Sequence, residues 1–300
     1  MFVKKNDKLS LKAQDKAGID KVQVVIKKDG SKIKDITLVK KQDDVYETED
    51  NIELGSADGE YEAEISAYDI FGRSQTTSLS FKIDTVPPEW KENKGTSENP
   101  DLVYSDTLIQ GGSKTVNESQ LNDSFWFNQT AITLSGSAYD KNGIDKYSLE
   151  ITNSENPDPE PVEISGSSSY KITSDLYKQG SNTAQRIVYD KAGNSSQNTI
   201  SIQVDSVPPS VTNATLKNSS NGKLITKENS VLLTVETQDV TSGVEKILVS
   251  ASPDFSSSKE YDVSSITNNE VSFEIKSLSE GSKTLYVKAI DKAGLESEVK

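Results

Sequence analysis

The chain has 300 residues and a net charge of −14, from 47 acidic and 33 basic side chains. That balance argues against nucleic acid, whose binding depends on neutralising phosphates with Lys and Arg. Cysteine and histidine are both absent, which excludes zinc, haem, iron–sulfur and thiol chemistry and any triad built on His or Cys. Hydrophobic residues make up only 33%, enough for several thin cores and too few for one large one, and no run nears the roughly 18 apolar residues of a membrane helix.

Met1 to Lys5 is too short and polar to be a signal peptide, so any export signal is expected outside this chain. The first predicted elements are two strands around a turn, in residues 9–21, LSLKAQDKAGIDK. Asp15 bonds its own backbone and Gly18 accepts positive φ, which suits a tight strand-to-strand loop. A core strand is predicted from Gly59 through Tyr61 and Ile65 to Ala67, ending in AYDIFG at 67–72. The next strand closes with FKIDTVPP at 81–88. Proline has no N–H to give to a ladder, so Pro87 and Pro88 mark the end of that strand.

The same three motifs then return. ITLSGSAYDKNGIDK occupies 132–146, VYDKAG 188–193 and IQVDSVPP 202–209. A third copy has VLLTVETQDVTSGVEK at 231–246 and AIDKAG at 289–294, with a core strand expected from Gly281 to Ala289. The first and second turn aspartates are Asp15 and Asp69, Asp140 and Asp190, and Asp239 and Asp291, separated by 54, 50 and 52 residues. The exit aspartates, Asp84 and Asp205, each follow the second by 15. Constant spacing of separate motifs is the signature of an internal repeat.

Each copy is about a hundred residues of short alternating strands, the size of an immunoglobulin-like β-sandwich. A propeller is disfavoured, because its blades repeat every 40–50 residues or so. The expected fold is all-β, three tandem sandwiches in an elongated array with boundaries at 1–86, 87–207 and 208–300. The first lacks a lead-in segment, the second carries an insertion at 89–130, and the third stops before its last strand is complete. The insertion is expected to form an extra hairpin or a loop pinned by aromatics. Arg186 aligns with Ile65 and Val287 at an inward position, where a local register shift is expected.

The motifs resemble the bacterial Ig-like repeats of large secreted and cell-wall-associated proteins. The likeness rests on the AxDxxGI turn, YDKAGN at 189–194, the VDxxPP exit and the Trp126-Phe127-Asn128 segment before Ile132. It covers essentially the whole chain. The resemblance implies a sandwich fold in an extracellular, cell-surface setting, where family members serve as spacers, adhesin stalks and accessory modules of secreted enzymes, and it does not fix a ligand. The expected role is a monomeric, non-catalytic spacer or stalk of adhesin type beside neighbouring repeats in a longer chain, with a host or cell-surface protein or glycan as a further partner; the alternative is a glycan- or protein-binding accessory module of a secreted enzyme or adhesin. Neither nucleic acid nor membrane insertion is expected.

Two candidate sites follow. In such a sandwich Asp140 and Asp190 share one end of the second unit, where Asp84 faces them across the junction; Asp205 faces Asp239 and Asp291 in the same way. Three converging carboxylates could hold Ca²⁺, which takes six to eight oxygens. The preferred reading is nevertheless structural, with no cofactor. Asp and Gly alone make a turn, and Lys16, Lys141, Lys191 and Lys292 place positive charge beside it. The second candidate is a ligand-binding platform of Trp90, Tyr104, Phe125, Trp126 and Phe127 in the insertion. Burial as core anchors is the competing expectation.

Overall fold

The computed structural model describes residues 8–50, 52, 58–91, 102–105, 113–116, 125–166, 168–217, 229–263 and 270–300, with 102–105 and 113–116 described as backbone only. Among them every regular element is a strand. No helix long and apolar enough to cross a membrane occurs among the described residues.

The first unit contains β1 (Ser10–Lys12), β2 (Ile19–Lys28), β3 (Ser31–Gln42), β4 (Val45–Glu47), β5 (Gly59–Asp69) and β6 (Ser74–Ile83). β3 is long enough to serve two sheets: its first part pairs with β2 and its end, from Val39, pairs with β4. Alternation places Val22, Val24 and Ile26 of β2 opposite Tyr46, Phe81 and Ile83 in one core.

The second unit begins with β7 (Glu89–Trp90), β8 (Leu102–Ser105), β9 (Ser113–Val116) and β10 (Trp126–Phe127). It continues with β11 (Ile132–Tyr139), β12 (Ile144–Thr152), β13 (Val162–Ser165), β14 (Ser169–Ser174), β15 (Gly180–Asp190) and β16 (Ser195–Val204). One sheet runs β10-β16-β15-β12-β13 and the other β14-β11-β8-β9, with β7 also on β11. The insertion does contain a hairpin, β8 with β9, and it widens the second sheet through β11.

The third unit contains β17 (Ser210–Lys217), β18 (Val231–Gln238), β19 (Val244–Ser250), β20 (Ser258–Asp262), β21 (Glu270–Ile275) and β22 (Tyr286–Asp291), in sheets β17-β18-β21 and β20-β19-β22. The strand expected from Gly281 starts only at Tyr286, because its partner β19 ends opposite, at Ser250. The last residues continue the ladder: Lys300 exchanges both backbone hydrogen bonds with Val287, and the Ser297 N–H donates to the Ala289 carbonyl. The fold is a tandem array of β-sandwiches with three separate cores.

One position corrects the sequence reading. β15 pairs with β16 in unbroken register from Gly180 to Tyr189, so Arg186 is not displaced by a shift. It is buried in register opposite Leu149, donates from Nη1 to the Tyr170 hydroxyl at 3.1 Å, and lies 5.2 Å from the Trp90 ring. The insertion thus supplies the aromatic face that makes a buried cation tolerable. Gly136 is required nearby, since a Cβ there would stand 2.8 Å from the Tyr170 ring.

Candidate metal centres at the two junctions

The turn chemistry is the same in all three units. The first aspartate accepts at Oδ1 from the backbone two residues on: Ala17 at 2.7 Å, Asn142 at 2.6 Å and Thr241 at 3.0 Å. The second aspartate accepts at Oδ1 from the backbone N–H of Arg73, Asn194 or Leu295, four residues on, at 2.9 Å each. The glycine between them has φ of 76°, 89° or 83°, a region that side chains disfavour. Beyond the first turn, each second strand carries a bulge at Asp20, Asp145 or Glu245. Such a bulge strengthens the local twist and aims the loop.

Each exit aspartate caps its own chain, taking the Val86 N–H at 3.2 Å or the Val207 N–H at 3.1 Å at Oδ1. Each also meets the loops of the following unit. In both triads, Asp84–Asp140–Asp190 and Asp205–Asp239–Asp291, one oxygen per carboxylate lies within 4.8 Å of the other two. Asp84, Asp190, Asp205 and Asp291 are buried, while Asp140 and Asp239 are half-buried. Among the described residues no lysine or arginine forms an ion pair with any of the six.

The two triads differ in what satisfies their remaining oxygens. At the first, the Asn142 side-chain amide donates to Asp84 Oδ2 at 2.8 Å. The Asn194 amide donates to Asp190 Oδ2 at 2.8 Å and to the Asp84 carbonyl at 3.0 Å. At the second, the backbone of Ser242 donates to Asp205 Oδ2 at 3.0 Å, and the Gln179 amide bridges Asp205 Oδ1 at 2.5 Å and Thr241 Oγ1 at 2.9 Å. Leu295 stands where Asn194 does and has no amide to offer. Asp291 Oδ2 is consequently buried without a hydrogen-bond partner.

Protonation follows from this. Burial pushes the Asp291 carboxyl up to about 7, against the lowering pull of the Leu295 N–H, and Asp205 and Asp239 add to the rise. Asp140 is also raised, by burial first and then by Asp84 and Asp190, against the Asn142 N–H. Asp69, which has no third carboxylate beside it among the described residues, behaves oppositely. Burial would raise it, but the Arg73 backbone and guanidinium together hold it below the usual carboxylate range. That guanidinium forms an ion pair with Asp69 Oδ2 at 2.6 Å.

Three of the aromatic candidates belong to the core of the second unit, and one of them touches a triad through its backbone: the Phe127 carbonyl accepts from the Asp205 N–H at 2.8 Å. Phe127 is fully buried, and Trp90 and Phe125 pack against the core of the second unit. Trp90 stands 6.0 Å from Tyr147 and 6.1 Å from Tyr170, ring centre to ring centre. Trp126 is half-buried, and the Tyr104 side chain lies outside the described residues. The described members therefore form no exposed stacking platform. The residues that sequence motifs missed are Asn142, Asn194, Leu295, Gln179 and Arg73. For Arg73, Asn194 and Leu295 a signal was present, because the position after the second turn glycine reads Arg, Asn and Leu in otherwise matching motifs.

Strand order and tandem cores define the chain as an array of immunoglobulin-like β-sandwiches. No protein-family model and no curated relative matches it. It is similar to a tetra-tandem repeat from the extending region of a large adhesion protein, at 18% identity over 99% of this chain and 69% of that one, TM-score 0.31. A 1.5-MDa bacterial ice-binding adhesin, in a structure concerning its retention on the host cell surface, is similar at 14% identity over 99% and 91%, TM-score 0.34. The FN1–FN3 domains of chicken CNTN1 follow at 12% identity over 99% and 93%, TM-score 0.33. Likeness at these scores carries no weight about function, which has to be argued from the residues.

Proposed function

We propose that the chain is a non-catalytic spacer segment of an extracellular, adhesin-type surface protein of bacterial kind, working as a monomer flanked by further repeats. One observation carries this reading: Asp84 and Asp205, each at the end of a unit's last strand, reach into the loops of the next unit. A spacer needs successive units to be coupled so that one end moves with the other, and a carboxylate inserted into the neighbour's loops does this without a large interface. Asn194 and Ser196 reinforce the first junction by donating to the carbonyls of Asp84 and Pro88, at 3.0 and 2.5 Å. The triads lack the His or Cys that would make them nucleophilic sites, and although Asp84 and Asp140 border a cleft at the first junction, backbone N–H groups already engage the triad carboxylates. A glycan platform is not favoured, given the packed aromatics.

Small-angle X-ray scattering tests the spacer reading. Ten-residue strands measure about 33 Å, so three units in line extend roughly 100–120 Å and give a radius of gyration near 30–35 Å. A value near 19 Å, as for a compact 300-residue domain, would overturn it.

A further inference from the structure

The two junctions are built from the same six motif positions but close differently. At the first, two asparagine amides supply the positive dipoles that Asp84 and Asp190 need. At the second, Asp291 is fully buried with Oδ2 unpartnered, and Asp205 and Asp239 face it. A buried unpartnered carboxylate oxygen costs more than the hydrogen bond it lacks, and like charges within 5 Å add to the cost. Either a proton or a cation has to offset it. All the available ligand atoms are oxygens, the preference of a hard divalent ion.

We propose that the junction between the second and third units is a divalent-cation site of the calcium class, held by Asp205, Asp239 and Asp291, and that the junction between the first and second is closed by Asn142 and Asn194 without metal. Ca²⁺–oxygen bonds of about 2.4 Å place opposite ligands about 4.8 Å apart, so the triad can wrap an ion without being pulled together. Three carboxylates supply three to six oxygens, depending on how many bind through both. The Thr241 hydroxyl, 2.9 Å from Gln179, and the buried Ser242 hydroxyl lie on the Asp239 loop, and water completes the shell. Because Asp205 belongs to one unit and Asp239 and Asp291 to the next, an ion here ties the two units together. The shifted Asp291 proton affinity accords with a site that is electrostatically incomplete, whereas the hydrogen-bond pattern, with Asp84 Oδ2 and Asp190 Oδ2 both partnered at the first triad and Asp291 Oδ2 unpartnered at the second, singles out which junction it is.

The proposal rests on the exit aspartates acting as couplers, and its test separates the two ideas. Calcium is titrated calorimetrically into the full chain at 150 mM salt, where diffuse attraction to the net negative surface is screened. One site per chain is expected. Asp239→Asn, at a half-buried ligand, abolishes it. Leu295→Asn, which places an amide where Asn194 has one, weakens it by about tenfold or more, as loss of a metal site's electrostatic demand does. Circular dichroism confirms that both variants fold, and the two act at different elements, so misfolding of one leaves the other to decide. Two equal sites, no site, or a single site indifferent to both substitutions would overturn the proposal. Scattering measured in chelator distinguishes the failures: an extended chain that binds no calcium sinks the metal site alone, while a compact chain sinks the spacer reading.

Discussion

The loops at the leading ends of the three units share one turn, one glycine conformation and one pair of aspartates, yet the second aspartate meets three different partners. In the first unit Arg73 forms an ion pair with Asp69; in the second the Asn194 amide binds Asp190; in the third Leu295 leaves Asp291 Oδ2 without a partner. The comparison between Asn194 and Leu295 is the sharper one, since both triads have three carboxylates at the same spacing. It teaches that the repeat supplies the scaffold, and one side chain four residues after the aspartate decides whether the charge is settled inside the protein or left to solution.

Moving that side chain is the strongest way to break the comparison. Asn194→Leu should leave Asp190 Oδ2 buried and unpartnered and remove the bond to the Asp84 carbonyl. An unfolding-midpoint loss equivalent to about 1–3 kcal/mol is expected in chelator, by urea denaturation. Millimolar calcium should recover part of it, and titration should then count two sites. A variant as stable as the wild type in chelator would mean the amide does not hold the first junction.

A weaker perturbation tests the first unit. Asp69 has a lowered folded pKa, so its contribution is present above the unfolded value of 3.8 and is lost as pH falls through the folded one. Arg73→Leu removes the guanidinium's share of that contribution and leaves the backbone N–H groups of residues 71 and 73 on Asp69. Melting temperatures of variant and wild type should therefore differ at pH 7 and converge as pH drops below about 3.8. A difference that persists unchanged in acid would assign the role of Arg73 to packing instead.

The smallest effect is expected at an exposed ion pair beside the first junction, on the rim of the cleft that Asp84 and Asp140 border. Lys82 and Glu60 form a 2.7 Å ion pair on the exposed side of the first unit. Exposed pairs of this kind contribute little, so Lys82→Ala should leave the midpoint unchanged within error and should not alter calcium binding. A measurable change in binding would show that general surface charge, and not the triad, attracts the ion.

Much of this was legible in the sequence because turn chemistry is local. Asp and Gly at fixed offsets announce a strand turn, and the fixed spacing of Asp84, Asp140 and Asp190 follows once the sandwich topology is assumed. The structure brings both sets of three together, as the topology implied. What was not legible depends on contacts between distant segments. Among the sequence motifs Asn194 figures only as the end of YDKAGN and Leu295 not at all, although the backbone N–H of each caps an aspartate four residues back. Arg186 read as a slip of register because its aromatic partner, Trp90, sits in the one stretch without a repeat to align it against. A buried cation is visible in sequence only when its cage is, and here the cage is assembled from β7, β12 and β14.

The most direct measurement uses the absence of native cysteine. Spin labels at the exposed positions Ser78, Ser201 and Ser258, introduced in pairs as Ser78→Cys with Ser201→Cys and Ser201→Cys with Ser258→Cys, report distance distributions across the first and second junctions. The account predicts a narrow distribution across the first junction in both chelator and calcium. Across the second it predicts a broad distribution in chelator that narrows when calcium is added. Equal responses at both junctions, or none at the second, would contradict it.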